Sequence, residues 1–166
     1  MNLINKINND KKFMSVAGSI LTHKEYVKLK NIYHHGSTRY NHSVKVAYTA
    51  YKLSNVFGCD SKSAIIGGAL HDFFLERDDE NIAKYTKMLI NHPTIAKENA
   101  IKYFGINEKE QNIIEAHMFP TSTVVPKYKE SWIVVAADKL VSMIEGATVA
   151  KSRVVVWMLF LINFIK

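Results

Sequence analysis

Gly67-Gly68-Ala69-Leu70-His71-Asp72-Phe73-Phe74 is the stretch around which the interpretation of this chain is built. Its small residues permit a close approach of neighbouring backbones, so we interpret Gly67-Gly68 as a packing notch rather than a nucleotide-binding loop. The adjacent His71 and Asp72 offer one nitrogen and one oxygen ligand for a metal ion. An isolated pair of this kind is more often a satisfied buried pair, so a metal site requires further ligands from the rest of the chain.

Length and composition indicate one globular domain, and we expect a single domain over residues 1–166. The lone cysteine, Cys59, cannot form an internal disulfide, and the polar start from Met1 to Lys12 lacks the apolar core of a secretory signal. We therefore expect a cytoplasmic protein. The net charge of +7 favours an anionic partner, but the lysines are scattered. A solvated lysine-rich surface is therefore preferred over a nucleic-acid interface.

Helical periodicity dominates the chain and predicts an all-α fold, with one or two helices over residues 10–33. Ser37 or Thr38 is expected to cap a helix over about 39–57, which turns His42 inward and stops at Gly58. A second helix, capped by Asp60 or Ser61, is expected to run to His71-Asp72.

Three further polar side chains occur at positions where chemistry is expected. Pro93 suits the first turn of a helix, which places His92 at a helix N-terminus, where the dipole favours a neutral, ligating imidazole. Asn107 and Glu110 resemble a capping box that starts a helix ending near an inward His117. Asp138 lies in an apolar run of a helix over about 130–145, so its carboxylate needs a partner, either a metal or a cation such as Lys139.

The tail from Val154 to Ile165 is almost continuously apolar. It is shorter than the roughly 20 residues that span a bilayer, so we expect no membrane span. We predict a separate C-terminal helix over about 149–165, either buried or packed in a homodimer.

Six side chains thus form a candidate ligand set: His42, His71, Asp72, His92, His117 and Asp138. Imidazoles with carboxylates suit Mn, Fe, Co, Ni or Zn, and Mg when water completes the coordination. The set contains no thiolate, which argues against a closed structural zinc site.

The order His, His-Asp, Asp on successive helices resembles the HD-domain superfamily of metal-dependent phosphohydrolases. The matching stretches are Arg39-Tyr40-Asn41-His42-Ser43, Ala69-Leu70-His71-Asp72 and Ala136-Ala137-Asp138-Lys139. The resemblance implies an HD-domain helical bundle with its motif-bearing core over about 37–146. It also implies that one metal is held by His42, His71, Asp72 and Asp138. His92 and His117 match the positions that hold a second metal, with Asp72 as the bridge.

The implied reaction is hydrolysis of a phosphomonoester or phosphodiester by hydroxide from a water that one or two divalent metal ions activate, and we expect the substrate to be a nucleotide. Asp72 is then central to catalysis, Arg39 is the first candidate for a charge-stabilising cation and Lys139 the second. Arg39 as a surface ion-pair partner is the alternative. Phe73-Phe74 replaces the Gly-Lys pair of many members, and the Gly-Tyr-Pro signature of cyclic-di-nucleotide phosphodiesterases is absent, so no subgroup is assigned.

Two other functions remain open at this point. A non-catalytic HD module used for binding or signalling would typically have lost some ligands, whereas all six positions are filled here. A di-iron oxygenase, as in the inositol-oxygenase relatives of the superfamily, would use the same ligand set.

Overall fold

The computed structural model describes residues 3–34, 37–75 and 82–164, without the side chains of 34, 82–89 and 151–164. The helices are α1 Leu3–Asn9, α2 Lys11–Leu21, α3 Lys24–Val27, α4 Arg39–Val56, α5 Ser61–Leu70, α6 Ile82–Phe104, α7 Glu108–Ala116 and α8 Lys129–Phe164. A short 3₁₀ helix, Lys28–Asn31, precedes a two-residue hairpin of β1 Tyr33–His34 and β2 Ser37–Thr38, in which Tyr33 pairs with Thr38. The predicted all-α fold is confirmed.

Most predicted helix boundaries are confirmed because they depend on local chemistry. Thr38 caps α4 by accepting a hydrogen bond from the Asn41 amide, and Asp60 caps α5. Asn107 and Glu110 form the reciprocal capping box at the start of α7. Gly58, which follows α4, has a φ of +61° that few other residues adopt.

The predicted helix start at Pro93 is wrong, because α6 runs without a break from Ile82 to Phe104 and contains Pro93. Proline has no N–H for the helical ladder and clashes with the preceding turn, at a cost of about 3 kcal/mol. Burial of one face of α6, including Ala96 and Ala100 at 0% exposure, offsets that cost. His92 therefore lies in mid-helix, and the dipole argument for its neutral state does not apply.

The predicted division of the C-terminal region into two helices is also wrong. Helix α8 is continuous from Lys129 to Phe164, since residues 146–150 contain a single glycine and no proline to end it. Burial or pairing of the tail concerns side chains outside the described residues. Within the described residues, no helix combines the length and hydropathy required to cross a membrane.

Two buried apolar clusters pack the helices that carry the candidate ligands. The larger contains aromatic residues from the N-terminal half, such as Phe13 and Tyr26, and the Tyr26 hydroxyl donates to the Ala69 carbonyl at 2.7 Å. The smaller joins four helices, through Val46 of α4, Ala64 of α5, Ile113 of α7 and Val134 of α8, among others. The histidines and aspartates are thus carried on helices whose relative positions are fixed by apolar packing.

The glycine pair provides the close approach that the sequence suggests. A Cβ at Gly67 would overlap the Ile113 side chain of α7, and one at Gly68 would lie 2.9 Å from the Ala47 Cα of α4. Real Cβ atoms do not approach a backbone carbon so closely, so α5 can sit at this depth only with glycine at both positions.

We predict that Gly68→Ala lowers the free energy of unfolding by about 1–3 kcal/mol, the usual cost of overpacking. The Ala47 backbone cannot move aside as a flexible side chain could. Urea denaturation measures the change. Gly146→Ala is the matched control: nothing lies within 4 Å of its added Cβ, and we expect a gain of about 0.5–1 kcal/mol. Equal stability of the Gly68 variant and the wild type would show that the packing of α5 against α4 does not require glycine at position 68.

Candidate metal centre

Five helices deliver the six candidate ligands to one place. His42 lies in the first turn of α4, His71 caps the end of α5 with Asp72 next to it, and His117 caps the end of α7. His92 comes from the middle of α6 and Asp138 from α8. The four histidines and Asp72 are buried, with an exposure of 6% for Asp72, whereas the Asp138 side chain is 15% exposed.

The first group of ligand atoms surrounds Asp138. Its Oδ1 lies 3.0 Å from Nε2 of His42 and 3.7 Å from Nε2 of His71. Nε2 of His71 also lies 3.6 Å from Oδ2 of Asp72. The atoms offered by His42, His71 and Asp138 are all within 4.8 Å of one another.

The second group surrounds the other oxygen of Asp72. Oδ1 lies 3.3 Å from Nε2 of His92 and 3.7 Å from Nε2 of His117, and these two nitrogens are 3.0 Å apart. Asp72 thus presents one carboxylate oxygen to each group, which is the arrangement of a carboxylate that bridges two ions.

His71 and His117 are oriented by the same local device. Each lies at a helix C-cap and donates its Nδ1–H to the carbonyl three residues earlier, to Gly68 at 2.8 Å and to Ile114 at 2.7 Å. Carbonyls in the last turn of a helix lack intrahelical partners, so these bonds also satisfy the helix ends. In the neutral form that binds metal, the proton on Nδ1 leaves the lone pair of Nε2 facing the centre in each ring.

The electrostatics favour an ionised Asp72 and a neutral His117 in the second group. Burial disfavours the charged form of Asp72, but the field of His71, the hydrogen bond from His92 and the fields of His92 and His117 outweigh it and hold the pKa of Asp72 well below the usual range. Burial, with the field of His71, lowers the pKa of His117 to about 3. At neutral pH the second group therefore combines a carboxylate with a neutral His117, as metal coordination requires.

In the first group, burial opposes the charged forms of both His42 and Asp138. The hydrogen bonds of His42 to Asp138 and Glu145 outweigh it and raise the pKa of His42 to about 10. The bond from His42 and the field of His71 lower the pKa of Asp138 to about 2. Without an ion, His42 is thus a buried imidazolium between two carboxylates, and a metal would replace the proton on Nε2.

The side chains present fit a divalent ion. Ligand atoms about 2.1 Å from a common ion lie about 3.0–3.4 Å apart, close to the spacings within each group. Nε2 of His71 is buried and makes no hydrogen bond among the residues that the structure describes, so the site leaves a strong ligand atom unused. All donors are nitrogen and oxygen, which suits a transition metal or Mg²⁺.

A sequence model of the HD domain matches residues 39–143, more than half of the chain. The chain belongs to the HD-domain family. All six candidate ligands lie within the matched segment of this HD domain. Comparisons with curated proteins and with solved structures found no match.

The two candidate cations of the HD domain occupy different surroundings. Arg39 is fully buried; its Nη1 donates to the Phe74 carbonyl at 2.7 Å, and its guanidinium lies 3.6 Å from the Phe74 ring centroid. The Phe74 ring in turn lies 5.0 Å from the ring of His92, so an aromatic ring lies between the Arg39 guanidinium and this candidate ligand. Lys139 is exposed beside Asp138 and donates to the Phe119 carbonyl at 2.8 Å.

Sequence reasoning missed Glu145, which contacts a candidate ligand directly. Its Oε2 lies 2.9 Å from Nδ1 of His42, and its Oε1 lies 2.6 Å from Nζ of Lys45. A signal was available, because Glu145 follows Asp138 by seven residues and so projects from the same helical face two turns later. Ser142, one turn after Asp138, donates to the same Oδ1 at 3.4 Å and was missed as well.

We predict that His117→Ala retains the ion of the first group and that His42→Ala retains the ion of the second. His71→Ala should weaken both, since His71 is a ligand of the first group and also offers a ring nitrogen within 4.8 Å of ligand atoms of Asp72 and His117. Titration with Mn²⁺ followed by elemental analysis counts the ions. His23→Ala is the control, because that ring caps α3 and packs against Phe104. Full loading of the His71 variant would contradict the assignment.

Proposed function

We propose that this HD-domain chain is a metal-dependent phosphohydrolase for a small phosphorylated substrate, with nucleotides as the first class to test. The observation that carries the proposal is Asp72, whose Oδ2 faces His71 and whose Oδ1 faces His92 and His117. His42, His71, Asp72 and Asp138 would hold one ion, and Asp72, His92 and His117 a second. The proposal includes a cytoplasmic location.

When bound, the ions would lower the pKa of a coordinated water toward neutrality and neutralise charge on the phosphoryl oxygens. The protein contributes preorganisation. His71 and His117 are locked by backbone carbonyls, so their rings do not reorient during a reaction. Phe73 and Phe74, at 1% and 3% exposure, form an apolar wall beside Asp72 that limits access of bulk water.

The two cations take different roles in this proposal. Arg39 is buried against Phe74, so its charge acts on the ligand groups across the ring rather than by contact with substrate. Lys139 is exposed next to Asp138, the candidate ligand whose side chain is 15% exposed in this region. A phosphate that approaches Asp138 would meet the Lys139 ammonium, and we assign Lys139 to substrate binding.

We expect Asp72→Asn to reduce hydrolysis of phosphate esters by at least about 100-fold, as loss of an electrostatic group in an active site typically does. The amide keeps the shape of the side chain but cannot supply an anionic oxygen to both groups. A panel of nucleoside monophosphates, phosphodiesters and p-nitrophenyl phosphate, assayed with Mn²⁺ and with metal content measured in parallel, tests this.

Glu115→Gln is the matched control for that experiment. Glu115 lies on α7 near His117 in sequence, but its carboxylate pairs with Lys97 at 2.6 Å. We expect its activity to equal that of the wild type. The proposal fails if metal-loaded wild type hydrolyses none of the panel, or if Asp72→Asn retains full activity.

For Lys139→Met we expect KM to rise about tenfold, with kcat and metal content nearly unchanged, since loss of a binding contact weakens the ground and transition states alike. Lys129→Met, which removes an exposed lysine at the start of the same helix, is the control. An unchanged KM for the Lys139 variant would remove Lys139 from the site.

A further inference from the structure

Glu145 is a buried carboxylate that no candidate ligand role explains. It lies two residues beyond the segment matched by the HD-domain model and is 7% exposed. Both of its oxygens are engaged, Oε2 with Nδ1 of His42 and Oε1 with Nζ of Lys45. Burial of a charged carboxylate is costly, so the contacts of Glu145 with its partners must offset the cost of its desolvation.

The support of His42 differs in kind from that of the other two oriented histidines. Backbone carbonyls fix His71 and His117, whereas a carboxylate fixes His42. Both devices hold the ring and keep the proton on Nδ1, but a carboxylate also makes the imidazole a more basic ligand. His42 belongs to the first group of ligand atoms only, so this enhancement is confined to one side of the centre.

The position of Glu145 is itself constrained. Lys45 follows His42 by one helical turn on α4, and its ammonium holds the second carboxylate oxygen at 2.6 Å. The Glu145 side chain of α8 is thus clamped between two residues of α4. A cavity of about 230 Å³, lined by Lys45, Glu145, Thr49 and Val141 among others, adjoins the clamp. Truncation of Glu145 would open this cavity toward His42, so an isosteric change is the informative one.

We propose that Glu145 is a positioning residue that orients His42 and selectively strengthens the ion held by His42, His71 and Asp138. The inference rests on the metal centre of the proposed function. Glu145 lies outside the matched segment, and we expect the two sides of the centre to respond differently to the loss of its carboxylate. Glu145 contacts His42 and not the ion or the substrate.

The test is Glu145→Gln in two single-site backgrounds, with Mn²⁺ affinity as the measurement. In the His117→Ala background, we expect Glu145→Gln to weaken Mn²⁺ binding about 10–100-fold, the usual effect of losing such a partner. In the His42→Ala background, the ring that Glu145 orients is absent, and we expect a change of less than about twofold. Glu115→Gln in both backgrounds is the control.

Two results would overturn the proposal. One is an unchanged affinity in the His117→Ala background, and the other is an equal loss in both, which indicates general destabilisation. Metal affinity is measured without any substrate. An inactive protein that shows the predicted split therefore refutes the phosphohydrolase assignment and keeps the role of Glu145.

A measurement on the wild type keeps the proposal testable if a variant fails to fold. In the Zn²⁺-loaded protein, ¹⁵N-resolved NMR of the His42 ring should show a proton on Nδ1 that exchanges slowly with water, and a metal-bound Nε2. Coordination through Nδ1, or a Nδ1 without a proton, would overturn the proposal directly.

Discussion

The burial of the Asp72 carboxylate among imidazoles is the constraint on which the rest of the structure depends. A carboxylate at 6% exposure is tolerated only where ligands or cations surround it, and His71, His92 and His117 do so from three helices. These helices must therefore approach closely, and the small residues before His71 permit it. The packing notch at Gly67-Gly68 therefore permits the close helix packing on which the burial of Asp72 depends.

The C-terminal ends of α5 and α7 orient two of the candidate ligands. His71 and His117 each terminate a helix and satisfy a carbonyl of its last turn, so one hydrogen bond both caps the helix and aims the ligand atom. Such a site needs little support from side chains. His42 lies within α4, and there a carboxylate from another helix, that of Glu145, contacts Nδ1 of the ring.

The features that were predictable from the sequence depend on neighbours along the chain. The caps at Thr38 and Asp60, the capping box at Asn107 and the stop at Gly58 involve residues within four positions of one another. Helical periodicity predicted the all-α fold and indicated the six candidate ligands, and the resemblance to the HD domain divided them between two metals. The structure brings the six together, and their binding of metal stays a prediction. Pro93 shows the limit, because packing of α6 overrides a local helix breaker. The contact of Glu145 with His42 spans 103 positions, so the seven-residue spacing from Asp138 indicates the helical face of Glu145 but not its partner.

The charges of the centre explain why the unpredicted residue matters. Asp72, Asp138 and Glu145 place three carboxylates in one buried region, with His42 and Lys45 as the cations in contact with the last two. An ion that displaces the proton of His42 restores positive charge between Asp138 and His42, and Glu145 then keeps the neutral ring in its ligating orientation. The two halves of the centre therefore differ: His117 is fixed by the backbone, which substitution cannot remove, while His42 depends on a side chain that evolution can adjust. In the proposed centre, affinity at the His42 side would be the property that changes at Glu145 adjust without altering any candidate ligand.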